Sequence, residues 1–355
     1  MYGFKRRNVC SPLSLHEGGL TVEERISLAH GDGGKLAHQL IKEIFVKEFG
    51  HLEHSKFDSA VLSLEQNKIA VSTDSFVIKP YFFPGGNIGK LAVAGTVNDL
   101  AVSGAIPRYL TAGFIIEEGF KISDLKKIVA SMAEEAKKAE VLIITGDTKV
   151  VDKGSVDGIY INTTGIGLYE DTLPFNPNKI QEGDLIIVSG TIGDHGIAIL
   201  SARGELGISN DLESDCASLN HLIEDIMQSS KRIKIMRDPT RGGLATTLVE
   251  ICEDFNVSME IEERLIPVKN EVQGTCNILG YEPIYLANEG KVIIIADKED
   301  EERITSVLKS SDLGKEAKVI GRVTGRDKGR LYLKTSLGST RRLERLSGIM
   351  LPRIC

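Results

Sequence analysis

The sequence predicts an α/β protein of the α+β type, organised as two domains of similar size followed by a polar tail. Three observations carry this. Strand-sized apolar runs and helix-period stretches are mixed along both halves of the chain. The pattern breaks at residues 171–184, "DTLPFNPNKIQEGD", where prolines and polar residues read as a linker. The 355-residue length is enough for two sizeable cores.

In chain order, "KLAHQLIKEIFVKEFG" predicts a helix: Leu36, Leu40 and Ile44 share a face, as do Ile41, Phe45 and Phe49, and Gly50 suits its stop. "KIAVSTDS" predicts a strand ending at Asp74, and "NIGKLAVAGTVNDLAVSGA" a helix closed by Gly104. "RYLTAGFII" is a strand, and "SDLKKIVASMAEEAKKAE" an amphipathic helix with Ser123 as N-cap. "VLIITGDTK" and "GIYINTTGIGLY" are strands, the first running into Asp147. After the linker, "DLIIVSG", "VSMEI", "EPIYLANEG", "KVIIIAD", "AKVIGRVT" and "RLYLKT" read as strands. Helices are expected from about Gly196, over "GGLATTLVEICEDF" and over "EDEERITSVLKSS". From about residue 336 the chain turns polar and basic, as a flexible tail would. The expected division is an extension (1–27), an N-terminal domain (28–172), a C-terminal domain (182–336) and a tail (337–355).

Charged residues make up 26% of the chain and the net charge is −7, so no basic excess exists to bind nucleic acid generally. The longest apolar runs are strand-sized, which predicts no membrane span. "MYGFKRRNVCSPLSLHEGG" lacks the apolar stretch of a secretory signal. Cys10, Cys216, Cys252, Cys276 and Cys355 form no CxxC pair, which fits a reducing cytoplasm. Cys355 is the last residue of "MLPRIC"; an exposed terminal thiol oxidises readily, so it is either incidental or the group that a tail carries.

Glycines cluster in "HGDGGK", "FFPGGNIGK", "VSGTIGDHGIA" and "PTRGG", as where backbone is shaped around a ligand. Acidic residues recur at expected strand ends: Asp74, Asp147 and Glu289, with Asp99 on the helix after the first strand. Carboxylates near one point repel unless cations neutralise them, and Mg²⁺ commonly joins one or two carboxylates to phosphates. The residues therefore read as a Mg-nucleotide site, or singly as strand ends and caps. "AHGDGGK" precedes a helix, whose N-terminus attracts phosphate, but Leu36 excludes a Walker A loop. Lys149 in "GDTKVV" is placed to balance phosphate charge or to face solvent; Glu289 in "NEG" is a proton acceptor or a turn residue. His30 and His195 sit in glycine-rich loops without forming a metal site.

Taken together, "AHGDGG", "FFPGGNIGKLAVAGTVNDLAVSGA", "GDTKVV", "GDHG", "DPTRGG", "NEG" and "PRIC", in this order over about residues 28–355, resemble the HypE family of hydrogenase maturation factors. The family falls in the PurM-like group of ATP-using enzymes. The resemblance implies two PurM-like domains with mixed sheets and a homodimer through the N-terminal domains, with ATP near the interface. It implies that HypF carbamoylates the sulfur of Cys355, that ATP and Mg²⁺ drive dehydration of the S-carbamoyl to a thiocyanate, and that HypC–HypD accepts the cyanide for the [NiFe] iron. By the same resemblance Asp58, Asp74, Asp99 and Asp147 serve the metal. Asp32, Gly33, Gly34, Lys35, Asn98, Thr148, Asp238, Thr240, Arg241 and Gly242 hold the nucleotide, and Lys149 and Glu289 act at the carbamoyl group. "KFDSAVL" carries one acid, Asp58, where relatives often have two. The alternatives are another PurM-like synthetase, or a nucleotide-sensing scaffold without catalysis. Cys10 lacks the glycine-rich context of a selenophosphate synthetase, and a purine-pathway synthetase needs no terminal thiol.

Overall fold

The computed structural model describes residues 34, 35, 38, 60–63, 68–169, 175–204 and 211–346. The N-terminal domain begins with β1 (Ala60–Ser63), β2 (Lys68–Phe76), β3 (Phe82–Phe83) and β4 (Gly86–Asn87). Helix α1 (Ile88–Val102), β5 (Ile106–Glu117), α2 (Ile122–Lys138), β6 (Leu142–Val151) and β7 (Ile159–Tyr169) complete it. Its main sheet has the order β1-β2-β7-β5-β6. β5 pairs with β7 antiparallel and with β6 parallel, so the sheet is mixed.

Helix α1 fixes the geometry of the molecule. "IGKLAVAGTVNDLAV" is apolar on nearly every side, the mark of a helix covered all round. Thirteen of its residues are buried, and Asn87 caps it by accepting from the Gly89 and Lys90 amides. One face of α1 packs on the sheet, another on α2.

The second domain supplies the remaining cover. In order come β8 (Leu185–Val188), α3 (Asp194–Arg203), α4 (Asn220–Ser229), β9 (Ile233–Arg237), α5 (Gly243–Phe255) and β10 (Ser258–Glu262). They are followed by α6 (Asn270–Leu279), β11 (Ile293–Ala296), α7 (Glu301–Ser310), β12 (Lys318–Gly325), β13 (Leu331–Lys334) and β14 (Thr340–Leu343). The sheet order is β14-β13-β10-β12-β8-β11-β9. α1 packs against α4 and β9, and one apolar cluster takes Leu91 and Val97 from the first domain with Ile197 and Leu286 from the second. The two domains thus share a core.

Several boundaries move. β2 continues past Asp74 to Phe76, and β6 past Asp147 to Val151, so both acids lie within strands. "EPIYLANEG" is not a strand: Pro283–Tyr285 forms a 3₁₀ turn and an extended loop follows. α2 begins one residue before Ser123, with Lys121 at the cap and no side-chain capping bond. α4, β9 and α6 lie where the sequence predicts no element, although Leu222, Ile223, Ile226 and Met227 of α4 do share one helical face. The tail boundary at 337 also shifts: β14 pairs with β13, and Arg345 beyond it is held by Glu250 at 2.9 Å and Glu253 at 2.9 Å. The predicted helix after Lys35 lies mostly outside the described residues.

At the domain junction Asn98 of α1 accepts from the Leu219 amide at 2.7 Å and donates to the Ala217 carbonyl at 3.0 Å. Asn98→Ala leaves that amide buried without its partner. It should lower unfolding stability by about 1–3 kcal/mol, read as a reduced urea midpoint.

Candidate functional site

A cavity of about 540 Å³ opens where the domains meet. The first domain contributes its wall from β2 and α1. Alternation along β2 sends Ser72, Asp74 and Phe76 to one face, where Ser72 Oγ donates to Asp99 Oδ2 of α1 at 2.7 Å. Asp74 accepts from the Ser75 amide at 2.8 Å and from Arg241 Nη2 at 3.4 Å. Asp157, Tyr160 and Arg203 also line the cavity. No motif surrounds these three, so nothing local in the chain marks them as site residues.

The second domain contributes "DPTRGG" and "NEG". Asp238 follows β9 directly and is buried. The chain then turns into α5 through Gly242 and Gly243, at φ +75° and +62°. A Cβ at Gly242 would sit 2.3 Å from Thr246 Oγ1, so only glycine fits. Asn288 ties this turn to its neighbours. Its side chain donates to the Pro239 carbonyl at 3.0 Å and accepts from the Gly193 amide at 2.7 Å. The motifs "GDHG", "DPTRGG" and "NEG" therefore meet at one buried asparagine, which no local sequence pattern distinguishes from the adjacent Glu289.

Glu289 is 5% exposed and lines the cavity. Burial pushes its carboxyl well above the usual range, and the charges of Asp238, Asp215 and Asp74 add to this against Arg241. Burial raises Asp74 as well, with Arg241 opposing. Asp238 is raised by burial, against the pull of Arg237. His195 is fully buried, its Nδ1 2.8 Å from Ser214 Oγ, and burial pushes its pKa down to about 4, so it is neutral.

A cavity in which neighbouring carboxylates raise Asp238 and Glu289 is short of positive charge. Its oxygen donors and arginines fit a hard divalent cation together with phosphates. Among the described residues no three His, Cys, Asp or Glu side chains are arranged to hold an ion by themselves. A cation here would complete its shell from phosphate and water, as Mg²⁺ does.

Of the expected site residues, Asp74, Asp99, Asp238, Thr240, Arg241 and Glu289 converge on this cavity. Gly242 shapes the turn beside it. Asn98 is corrected: its amide is committed to Leu219, Ala217 and the Glu289 carbonyl, so it braces the site from behind. Asp147, Thr148 and Lys149 are corrected as members of this chain's own cavity: they lie on β6, exposed, and do not line it. Gly34 and Lys35 are elsewhere too, the Lys35 amide donating to the Leu346 carbonyl at 2.8 Å. Asp32, Gly33, Asp58 and Cys355 fall outside the described residues.

Two such domains around a carboxylate-lined junction define an AIR synthase related protein. The model for the N-terminal domain of that class matches residues 56–169, and that for the C-terminal domain matches 181–334. Within the class, the chain is 43% identical to the carbamoyl dehydratase HypE of Rhodobacter capsulatus over 336 residues, which is 94% of this chain and 99% of the relative. It matches HypE in a crystal structure of a HypE–HypF complex at 47% identity and TM-score 0.81, covering 86% of this chain and 99% of that one. A crystal structure of the hydrogenase maturation protein HypE in complex with ATP matches at 44% identity and TM-score 0.78, covering 92% and 99%. The chain belongs to the HypE family.

The raised carboxyl has a thermodynamic signature. Glu289 holds its proton in the folded state and loses it more easily when unfolded, so its contribution to stability declines as pH rises above the ordinary carboxylate range. Glu289→Gln removes that dependence. Without divalent cation, its melting temperature should gain on the unsubstituted protein as pH rises above the ordinary carboxylate range. His195 contributes in the opposite sense from about 4 upward but cancels in the comparison. A difference constant with pH would contradict the assignment.

Proposed function

We propose that the protein is an ATP-dependent carbamoyl dehydratase acting on its own C-terminal cysteine. The observation that carries this is the convergence of Asp74, Asp99, Asp238, Arg241 and Glu289 on one cavity at the domain junction, in a chain ending on Cys355. The relatives' name and the ATP-bound HypE structure support it.

In the reaction the S-carbamoyl group, –S–C(=O)–NH₂, becomes –S–C≡N. The C–O bond breaks, two N–H protons are given up, and the oxygen leaves in inorganic phosphate while ATP becomes ADP. ATP with Mg²⁺ supplies the phosphoryl group that turns the amide oxygen into a leaving group. Asp74 and Asp99, with Asp58 and Asp147, would hold the cation. Asp238, Thr240 and Arg241 would hold the nucleotide, with Asp32 and Gly33; Gly34 and Lys35, which do not line this chain's own cavity, would join them only from a second copy or after a movement of their segment. Once bound cation has made it ionise, Glu289 takes a proton from the carbamoyl nitrogen; a carboxyl raised above the ordinary carboxylate range is the stronger base in its ionised form. Lys149 offsets charge on the transferring oxygens.

Lys149, Thr148 and Asp147 reach a site through a second copy of the chain. β6 is an edge strand of the described sheet, and Leu142, Ile144 and Val150 on it are 54–64% exposed. An apolar strand left in water is a pairing surface. We take it as the homodimer contact that would bring these residues to the partner's cavity. HypF would load Cys355 and HypC–HypD would accept the cyanide, in the cytoplasm, where the thiol stays reduced.

Mass spectrometry of the C-terminal peptide, after carbamoylation by HypF, tests the activity. The adduct should lose one water only with Mg-ATP, and Cys355→Ala should abolish this with the fold intact. Carbamoylation followed by no ATP turnover would instead indicate a scaffold. Ile144→Lys should shift the protein from dimer to monomer by light scattering and depress dehydration at saturating ATP about 100-fold or more, because the second copy's lysine is lost.

A further inference from the structure

We propose that the buried ion pair Asp215–Lys291 sets the position of Glu289 at the reacting group, so that Asp215 and Lys291 are positioning residues for the dehydration. This rests on the reading that Glu289 takes the proton, and adds how Glu289 is aimed.

Neither residue lines the cavity, yet together they hold the peptide on both sides of Glu289. One carboxylate oxygen of Asp215 accepts from the Glu289 amide at 3.1 Å; the other faces Lys291 Nζ at 3.2 Å. The same ammonium donates to the Gly290 carbonyl at 3.4 Å. The Glu289 carbonyl accepts from the Ala217 amide at 3.3 Å. At Gly290 the two segments touch: a Cβ there would lie 1.8 Å from the Asp215 carbonyl oxygen. Glu289 therefore cannot shift without breaking contacts to residues 215–217. That segment is fixed in turn by Ser214 Oγ, which accepts from the Cys216 amide at 3.1 Å and bonds His195.

The side chains of Asp215 and Lys291 are 2% and 10% exposed. A buried pair of this kind contributes little to stability, because desolvation offsets most of the attraction. What it supplies is direction: a carboxylate bridging an ammonium and an amide has one orientation, which an apolar pair of equal volume would not impose. Catalytic groups need placement to a fraction of an ångström.

The test uses full-length protein carbamoylated on Cys355, with dehydration followed by peptide mass at varied Mg-ATP. Asp215→Asn and Lys291→Met should each slow the rate at saturating ATP about tenfold or more, with half-saturation within about twofold of the unsubstituted protein. Adding Asp215→Asn to Glu289→Gln should deepen the loss by less than about twofold, because Asp215 acts through Glu289. Where a single variant fails to fold, Asp215→Asn/Lys291→Met leaves no lone buried charge, and the same slowing is expected of it. Undiminished rates, a loss confined to half-saturation, or multiplied losses in the Glu289 double variant would each overturn the proposal. Glu289→Gln reports separately on the reading beneath it. Full activity there removes the role of Glu289 itself, whereas its loss beside a normal Asp215→Asn removes only the positioning.

Discussion

A carboxyl buried between two sheets is the constraint to which the rest of the structure answers. Glu289 lies on a loop between a 3₁₀ turn and β11, a place where backbone ordinarily meets water. Keeping it out of water requires partners for its peptide groups from elsewhere. Asp215 takes its amide, and Ala217 and Asn98 donate to its carbonyl. These partners come from both domains, so the site exists only while the domains stay docked.

Docking depends in turn on α1. A helix apolar on all sides must be covered on all sides. Here the first sheet and α2 cover part of it, and α4 and β9 cover the rest. The surface that buries the helix also brings Asp99, on its C-terminal half, against the wall formed by β2 and the second domain. Folding and site assembly are one event in physical terms.

The cavity is polar where the core is not, and its imbalance of charge has a direction. Arg241 is shared with Asp74, and Lys291 is committed to Asp215. Acids still outnumber the cations that line the cavity, and what binds can offset the difference. A site that favours protonated carboxyls when empty favours bound cations and their phosphates when ligand arrives.

Much of the fold was legible because long elements have strong periods: α1, α2 and α5 were recognised within a residue or two, as were β5 and β7. The acids of "STDS", "DPTRGG" and "NEG" were also legible, since glycine clusters and acids at turns restrict what the backbone can be for. Asp215, Lys291 and Asn288 were not, because their roles are contacts over 74 residues or more, or side-chain bonds that no local pattern encodes. Asn98 departs from its expected role for the same reason: its motif marks a site, but which way one helical side chain points is decided by what packs against the helix. By itself the sequence determined the α/β class, the two domains and the family, because composition and motif order are local properties of the chain. Only the tertiary structure decided which acids share a cavity, which residues stand behind them, and that Lys149 lies on an edge strand, because these follow from how two sheets close over one helix.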